Sequence, residues 1–237
     1  MKGLGTIINV AFIIIGGLLG SLFGNRLPER YQDTIMKANG VAVLFIGISG
    51  AMSQMLNIHH MSLETQGTMM MTVSLSLGAI IGEILRIDYR LEKFGEWLKL
   101  KTGNGGEAGF VDGFVTATMT VCIGAMAVIG SIDDGIYGDY SILLAKAILD
   151  LVIILIMSAS LGKGCIFSAI PVGIFQGSIT LFAGFLAPVI TDGAMAYLSL
   201  VGSILIFCVG INLLWEKTIK VTNLLPALVI AVVWSYF

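Results

Sequence analysis

Residues 141–162, SILLAKAILDLVIILIMSASLG, decide the fold. A helix needs about 20 apolar residues to cross a hydrocarbon core, and this run supplies that length with only Lys146 and Asp150 to interrupt it. The two stand four positions apart, so on a helix they share one face. Working outward, seven further stretches have the same character: residues 4–24, 36–56, 67–87, 109–130, 165–189, 194–215 and 222–237. The chain of 237 residues is 57% hydrophobic and 12% charged, with a mean hydropathy of +0.96. Soluble domains carry about 25% charge. A soluble core is excluded. The expectation is an all-α polytopic membrane protein of about eight transmembrane helices, one transmembrane domain over 1–237.

The loops alternate in charge. Arg26, Arg30 and Lys37 flank the first link; Arg86, Arg90, Lys93, Lys99 and Lys101 fill the third. Lys163 marks the fifth, and Lys217 and Lys220 the seventh; the even-numbered links carry no Lys or Arg. Basic short loops are retained in the cytoplasm, so the pattern predicts a topology with both termini outside. Lys2 and Lys146 are the exceptions. Residues 4–24 read as the first span and not as a cleaved leader, because only Lys2 precedes them and Gly16, Gly17 and Gly20 recur within a full spanning length. No basic patch suggests nucleic acid. Cys122, Cys165 and Cys208 lie in or beside apolar runs without metal-type spacing and read as small buried hydrophobes. Neither a metal nor a cofactor is expected.

Between Asp88 and Lys101, Leu91, Phe94, Trp97 and Leu98 fall on one helical face, and Arg90, Lys93, Glu96 and Lys99 lie around the other. This predicts a cytoplasmic interfacial amphipathic helix, the alternative being a solvated connector. The glycine-rich segment 102–109 reads as a hinge. Outside, Asp133, Asp134 and Asp139 form a candidate outer vestibule able to concentrate cations, or are simply the charges left where basic residues are excluded. Phe45-Ile46-Gly47-Ile48, Cys122-Ile123-Gly124-Ala125 and Cys208-Val209-Gly210-Ile211 resemble one another, and Gly24 before Pro28 is echoed by Gly184 before Pro188. Stretches 1–2 and 6–7 would then run in opposite senses, an inverted repeat of the kind secondary transporters use.

Charges near mid-membrane are costly and usually face a partner or a cavity. Asp150 falls almost at the centre of its span, with Lys146 one turn toward the outside. Lys before Asp is the weaker helical order, so helix propensity does not explain the pair. It is either a packing device or a coupling site, with Asp150 as cation or proton ligand and Lys146 as counter-charge. In the sixth stretch, Pro171 removes a backbone hydrogen bond and precedes Gln176, Gly177 and Ser178. A kink there would free carbonyls for an ion, or Gln176 would make one interhelical bond. In the fourth, Asp112 caps a helix start or begins a polar stripe with Thr116 and Thr120. Asn9 and Asn212 read as glue between helices. Adjacent His59 and His60, near Glu64 and several methionines, are a poor preformed metal site.

Several strings together resemble a known family: residues 110–118 (FVDGFVTAT), 122–126 (CIGAM), 130–135 (GSIDDG), 144–150 (LAKAILD) and 167–172 (FSAIPV) with Gln176-Gly177. They are similar to the bacterial membrane family called domain of unknown function 554, over nearly the whole chain and most strongly from about 108 to 190. The resemblance implies a bacterial inner-membrane protein, in a family described as a candidate sodium channel or pump. Its distinctive polar positions here are Asp112, Lys146, Asp150, Pro171 and Gln176.

The expected function is a transporter or channel for a small solute, a cation above all, with a site between stretches 4, 5 and 6. Asp150 is the central acid, Lys146 its partner, and Gln176, Ser178 and Thr116 are neutral ligands. The lipid bilayer and the solute are the expected partners, and glycine-rich faces suit a homo-oligomer. The rival readings are a lipid-modifying intramembrane enzyme, for which His59 or His60 with Ser62 or Glu64 is the candidate constellation, and an accessory subunit of a membrane complex.

Overall fold

A computed structural model describes residues 2–24, 28–59, 62–106, 109–122, 125–188, 190–215 and 218–237. Arg26, His60, Met61, Ile123, Gly124 and Lys217, which entered the charge, metal and repeat readings, lie outside the described residues.

The elements in order are α1 (Leu4–Gly24), α2 (Glu29–Met55), β1 (Leu56–His59), β2 (Ser62–Thr65), α3 (Thr68–Leu85), α4 (Ile87–Lys101), α5 (Phe110–Cys122), α6 (Ala125–Tyr137) and α7 (Ser141–Leu161). A 3-10 segment Lys163–Ser168 leads into α8 (Ala169–Leu181) and α9 (Ala183–Leu186). Then come α10 (Asp192–Trp215), a second 3-10 segment Val221–Leu224, and α11 (Pro226–Trp234). The protein is an all-α polytopic membrane protein. Among the described residues, six helices are long and apolar enough to cross a membrane. The fourth apolar stretch is a pair, α5 and α6, bent by 63°, and makes a seventh if taken as one span. The eighth is the shorter helix Val221–Trp234.

Two local readings change. The link between α2 and α3 is an antiparallel hairpin, with Leu56 opposite Thr65 and His59 opposite Ser62. Pro171 does not kink a helix at its middle. It lies in the first turn of α8, where its missing N–H has no intrahelical partner to lose. The irregularity precedes it: Gly162 adopts φ 87°, closes α7 by donating to the Ser158 carbonyl at 3.1 Å, and opens the 3-10 segment.

The chain forms two compact units. The first comprises Met1–Asn39, Arg90–Cys122 and Met126–Ala187. Its spine is a parallel seam between α1 and α7. A Cβ on Gly16 would come within 2.5 Å of the Leu151 carbonyl oxygen, and one on Gly20 or Gly24 would strike the carbonyls of Leu155 and Ala159. Only glycine allows such an approach, and Ser158 Oγ locks it by donating to the Gly17 carbonyl at 2.8 Å. The amphipathic segment is indeed helical. It docks on α5 through buried Leu98 and through Gly95, whose missing Cβ leaves room for the Phe114 ring. Trp97 stays half-exposed, stacked on Phe94 and capped by the Lys101 ammonium at 4.9 Å.

The second unit comprises Gly40–Tyr89, Ile123–Ala125 and Pro188–Phe237. Its core gathers Met70, Leu200, Val201, Ala227 and Ala231. Glu83 of α3 accepts from Lys220 at 2.9 Å and from Asn223 at 2.7 Å, tying α3 to the second 3-10 segment. Two of the mutually similar strings are packing partners here. A Cβ on Gly47 would meet the Phe207 nitrogen at 2.5 Å, and one on Gly210 the Leu44 nitrogen at 2.8 Å. These reciprocal contacts run antiparallel. Within the same unit α3 meets α11 antiparallel, Gly78 against Ala227. Within the first unit α1 meets α8 antiparallel, Gly173 against Val10 and Gly17 against Ile166. The first, second and third stretches thus each pair antiparallel with the sixth, seventh and eighth.

Candidate functional site

The polar cluster lies wholly within the first unit. Lys146 and Asp150 are buried on α7, at 6% and 4% exposure, and pair directly. The Lys146 ammonium also donates to the Val121 carbonyl, in the last turn of α5, at 2.8 Å. From α1, Asn9 faces the Asp150 carboxylate and donates from Nδ2 to Gln176 Oε1 of α8 at 3.2 Å. Both amides are fully buried.

The carboxylate orients this pair of amides. Asp150 accepts only, so Asn9 must turn its NH2 toward it. Gln176 must then offer its oxygen to the same NH2. Among the described residues, Asn9 Oδ1 and Gln176 Nε2 are left without a hydrogen-bond partner. The buried hydroxyls of Thr118 on α5, Thr6 on α1 and Thr180 on α8 have none either. A buried polar group without a partner costs about 1–3 kcal/mol, and of the six such atoms among the described residues five lie on α1, α5 and α8, the sixth being Ser131 Oγ on α6. Thr6 and Thr180 line a cavity of about 610 Å³, together with Lys2, Gly3, Gly135, Gly177 and Gly184. Asn9 lies one turn along α1 from Thr6, and Gln176 one turn along α8 from Thr180. The polar face therefore runs from the cavity wall toward the ion pair.

The remaining site residues fall differently. Ser178 is exposed and donates to the Phe175 carbonyl of its own helix at 2.9 Å; it belongs to another face of α8 than Gln176. Thr116 is half-buried, and its carbonyl accepts from Thr120 at 2.8 Å. Thr118, which the sequence reading did not favour, is the buried threonine. Asp112 is exposed in the first turn of α5.

Asp133, Asp134 and Asp139, the candidate vestibule acids, differ in their surroundings. Asp134 is fully buried and accepts from the backbone of Gly3 at 3.1 Å and Gly5 at 3.0 Å, capping α1. Asp139 caps α7, accepting from the Ser141 nitrogen at 2.9 Å and hydroxyl at 2.6 Å. Those two bonds hold its carboxyl below the usual carboxylate range, the hydroxyl contributing most. Asp133 is half-buried. The side chains of His59, His60 and Ser62 lie outside the described residues.

Sequence reasoning missed Asn9 as a member of the site. Its signal was present: it is the one residue of the first stretch with a side-chain amide, and an isolated amide in hydrocarbon requires a partner.

The comparisons agree with this membrane architecture. Residues 4–236 match the family described as "Protein of unknown function (DUF554)". The chain is 31% identical over 226 residues to "Uncharacterized membrane protein YdfK" of Bacillus subtilis (strain 168), covering 95% of this chain and 93% of that protein. It is also 31% identical over 232 residues to "Uncharacterized protein YqgA" of Escherichia coli (strain K12), covering 96% and 94%. No solved structure matches. With the family match spanning nearly its full length, this chain belongs to the DUF554 family of membrane proteins.

Proposed function

We propose that the protein is a transporter or channel of the bacterial inner membrane, both termini outside, that moves a small cation through the site built on Asp150. It is read as a non-enzymatic protein. The observation that carries this reading is the buried Lys146–Asp150 pair facing the amides of Asn9 and Gln176, whose remaining polar atoms lack protein partners. Desolvating two charges is only partly repaid by their attraction, and hydrophobic residues of equal volume would stabilise a bundle at least as well. A site that keeps both charges beside an amide pair with unpartnered polar atoms suits a solute better than a scaffold. Alternation of basic and uncharged loops supports the orientation.

The test is flux in proteoliposomes, scanning Na⁺, K⁺ and H⁺ gradients. Asp150→Asn is expected to abolish cation flux while the protein still elutes as a folded species. Wild-type flux from that variant would remove Asp150 from the mechanism.

A further inference from the structure

Resting on the transport reading of the Asp150 site, we infer that the seam between α1 and α8 is a one-sided access path. The cation reaches Asp150 from the cavity of about 610 Å³, first past Thr6 and Thr180, then past Asn9 and Gln176, while Ile13 and Val172 close the far side. The helical registers put these residues in order. On α1, Thr6, Asn9 and Ile13 share one face, and on α8, Thr180, Gln176 and Val172 share another. The helices run antiparallel, so the levels match. Threonines stand at the cavity wall, and the joined amides lie one turn deeper, where Asn9 meets the Asp150 carboxylate. One turn deeper still come the apolar side chains of Ile13 and Val172, at 0% and 1% exposure.

Hydrogen bonding changes character at the same level. On the cavity side, Thr6 Oγ1, Thr180 Oγ1, Asn9 Oδ1 and Gln176 Nε2 are buried and, among the described residues, unpartnered. Beyond Ile13 and Val172, the buried hydroxyls of Ser21, Ser158 and Ser168 each donate to a carbonyl, those of Leu18 at 3.0 Å, Gly17 at 2.8 Å and Cys165 at 2.7 Å. An open buried group costs about 1–3 kcal/mol, and a seam that only held two helices together would satisfy its polar groups on both sides alike. Hydroxyls and amides both donate and accept, so those of the near side can replace a cation's water or hold the water it keeps. The cavity has room for an ion with its first shell, at about 30 Å³ per water. Glycine provides that room: nothing lies within 4 Å of a Cβ added at Gly177 or Gly184, both in the wall. The far side has none, since a Cβ on Gly17 would stand 2.6 Å from the Ile166 side chain. Lys2, the ionisable residue among those lining the cavity, is exposed, where salt screens its charge beyond about 8 Å.

The experiment places single cysteines in the full-length protein and reacts them, in detergent, with 2-aminoethyl methanethiosulfonate, a small thiol reagent that is itself a monovalent cation. Intact mass gives the rate, and the unsubstituted protein with its own three thiols sets the background. Gln176→Cys and Val172→Cys are the deciding pair. They stand on adjacent turns of one helix at 0% and 1% exposure, so burial alone predicts equal, negligible reaction. The path predicts that Gln176→Cys reacts at least about tenfold faster, because a thiol must be reached to react. Asn9→Cys against Ile13→Cys makes the same comparison on α1 and decides the matter if an α8 variant does not fold. In proteoliposomes, modified Thr180→Cys is expected to lose most of its cation flux. Equal rates within the pair, or full flux after complete modification of Thr180→Cys, overturns the path. When Asp150→Asn still abolishes flux, that failure leaves the transport reading standing; when Asp150→Asn retains flux, both fall.

Discussion

The side-chain amide of Asn9 donates to the side-chain oxygen of Gln176 across 3.2 Å, joining residues 167 positions apart in the chain. Through its contact with Asp150, this bond links the ion pair on α7 to the antiparallel contact between α1 and α8.

Asn9→Leu should lower cation flux strongly, to below about a tenth of wild type, because it removes both a donor to Asp150 and an unengaged oxygen. Thr118→Val should lower flux by a smaller factor, and Ser178→Ala should leave it unchanged, since that hydroxyl serves its own helix. Equal effects from Thr118→Val and Ser178→Ala in the same flux assay would contradict the placing of Thr118 at the site and of Ser178 away from it.

The capping of α1 by Asp134 gives a prediction on stability rather than flux. Asp134→Ala leaves two backbone donors, one buried and one part-buried, without this acceptor, and loss of a cap costs about 0.5–2 kcal/mol. Thermal unfolding in detergent should show a lowered Tm, with cation binding at Asp150 retained once the protein is folded. A Tm equal to wild type would mean that the bonds to Gly3 and Gly5 contribute nothing.

The α1–α7 seam should tolerate no side chain. Gly20→Val drives a methyl-bearing carbon into the Leu155 carbonyl, and such overpacking costs about 1–3 kcal/mol or more. Gly177→Ala, where nothing lies within 4 Å of the added carbon, should fold as wild type. Comparing the two by size-exclusion profile after heating separates a packed glycine from an open one.

The start of α7 should respond to acid. Asp139 is held below its ordinary range by donors from Ser141. A carboxylate whose folded-state pKa is depressed stabilises the fold above the unfolded value, about 3.9, and that contribution is lost as pH falls through the depressed folded value. Amide exchange at the first turn of α7 should therefore quicken below about pH 4, and Asp139→Asn should remove most of that pH dependence.

The apolar stretches were legible because hydrocarbon demands continuous apolar length, and the ion pair because charge inside such length is rare. Other features depend on long-range contacts. Asn9 reads as glue until α8 is placed beside α1. Asp134 reads as a mouth residue until the start of α1 is seen to end on its carboxylate. Thr116, Thr118 and Ser178 differ only in which way their helix turns, and the weak amphipathicity of membrane helices gives little warning of that. The hairpin at Leu56–Thr65 was hidden because its strands, Leu56–His59 and Ser62–Thr65, have only four residues each, too few for their alternation to stand out between two long apolar runs.

Backbone-to-backbone contact along Gly16, Gly20 and Gly24 leaves α1 and α7 no slack to slide past each other. The helix that carries the ion pair and the helix that carries Asn9 thus behave as one stator. Gly177 on α8, beside Gln176, is under no such constraint, since nothing lies within 4 Å of where its Cβ would stand.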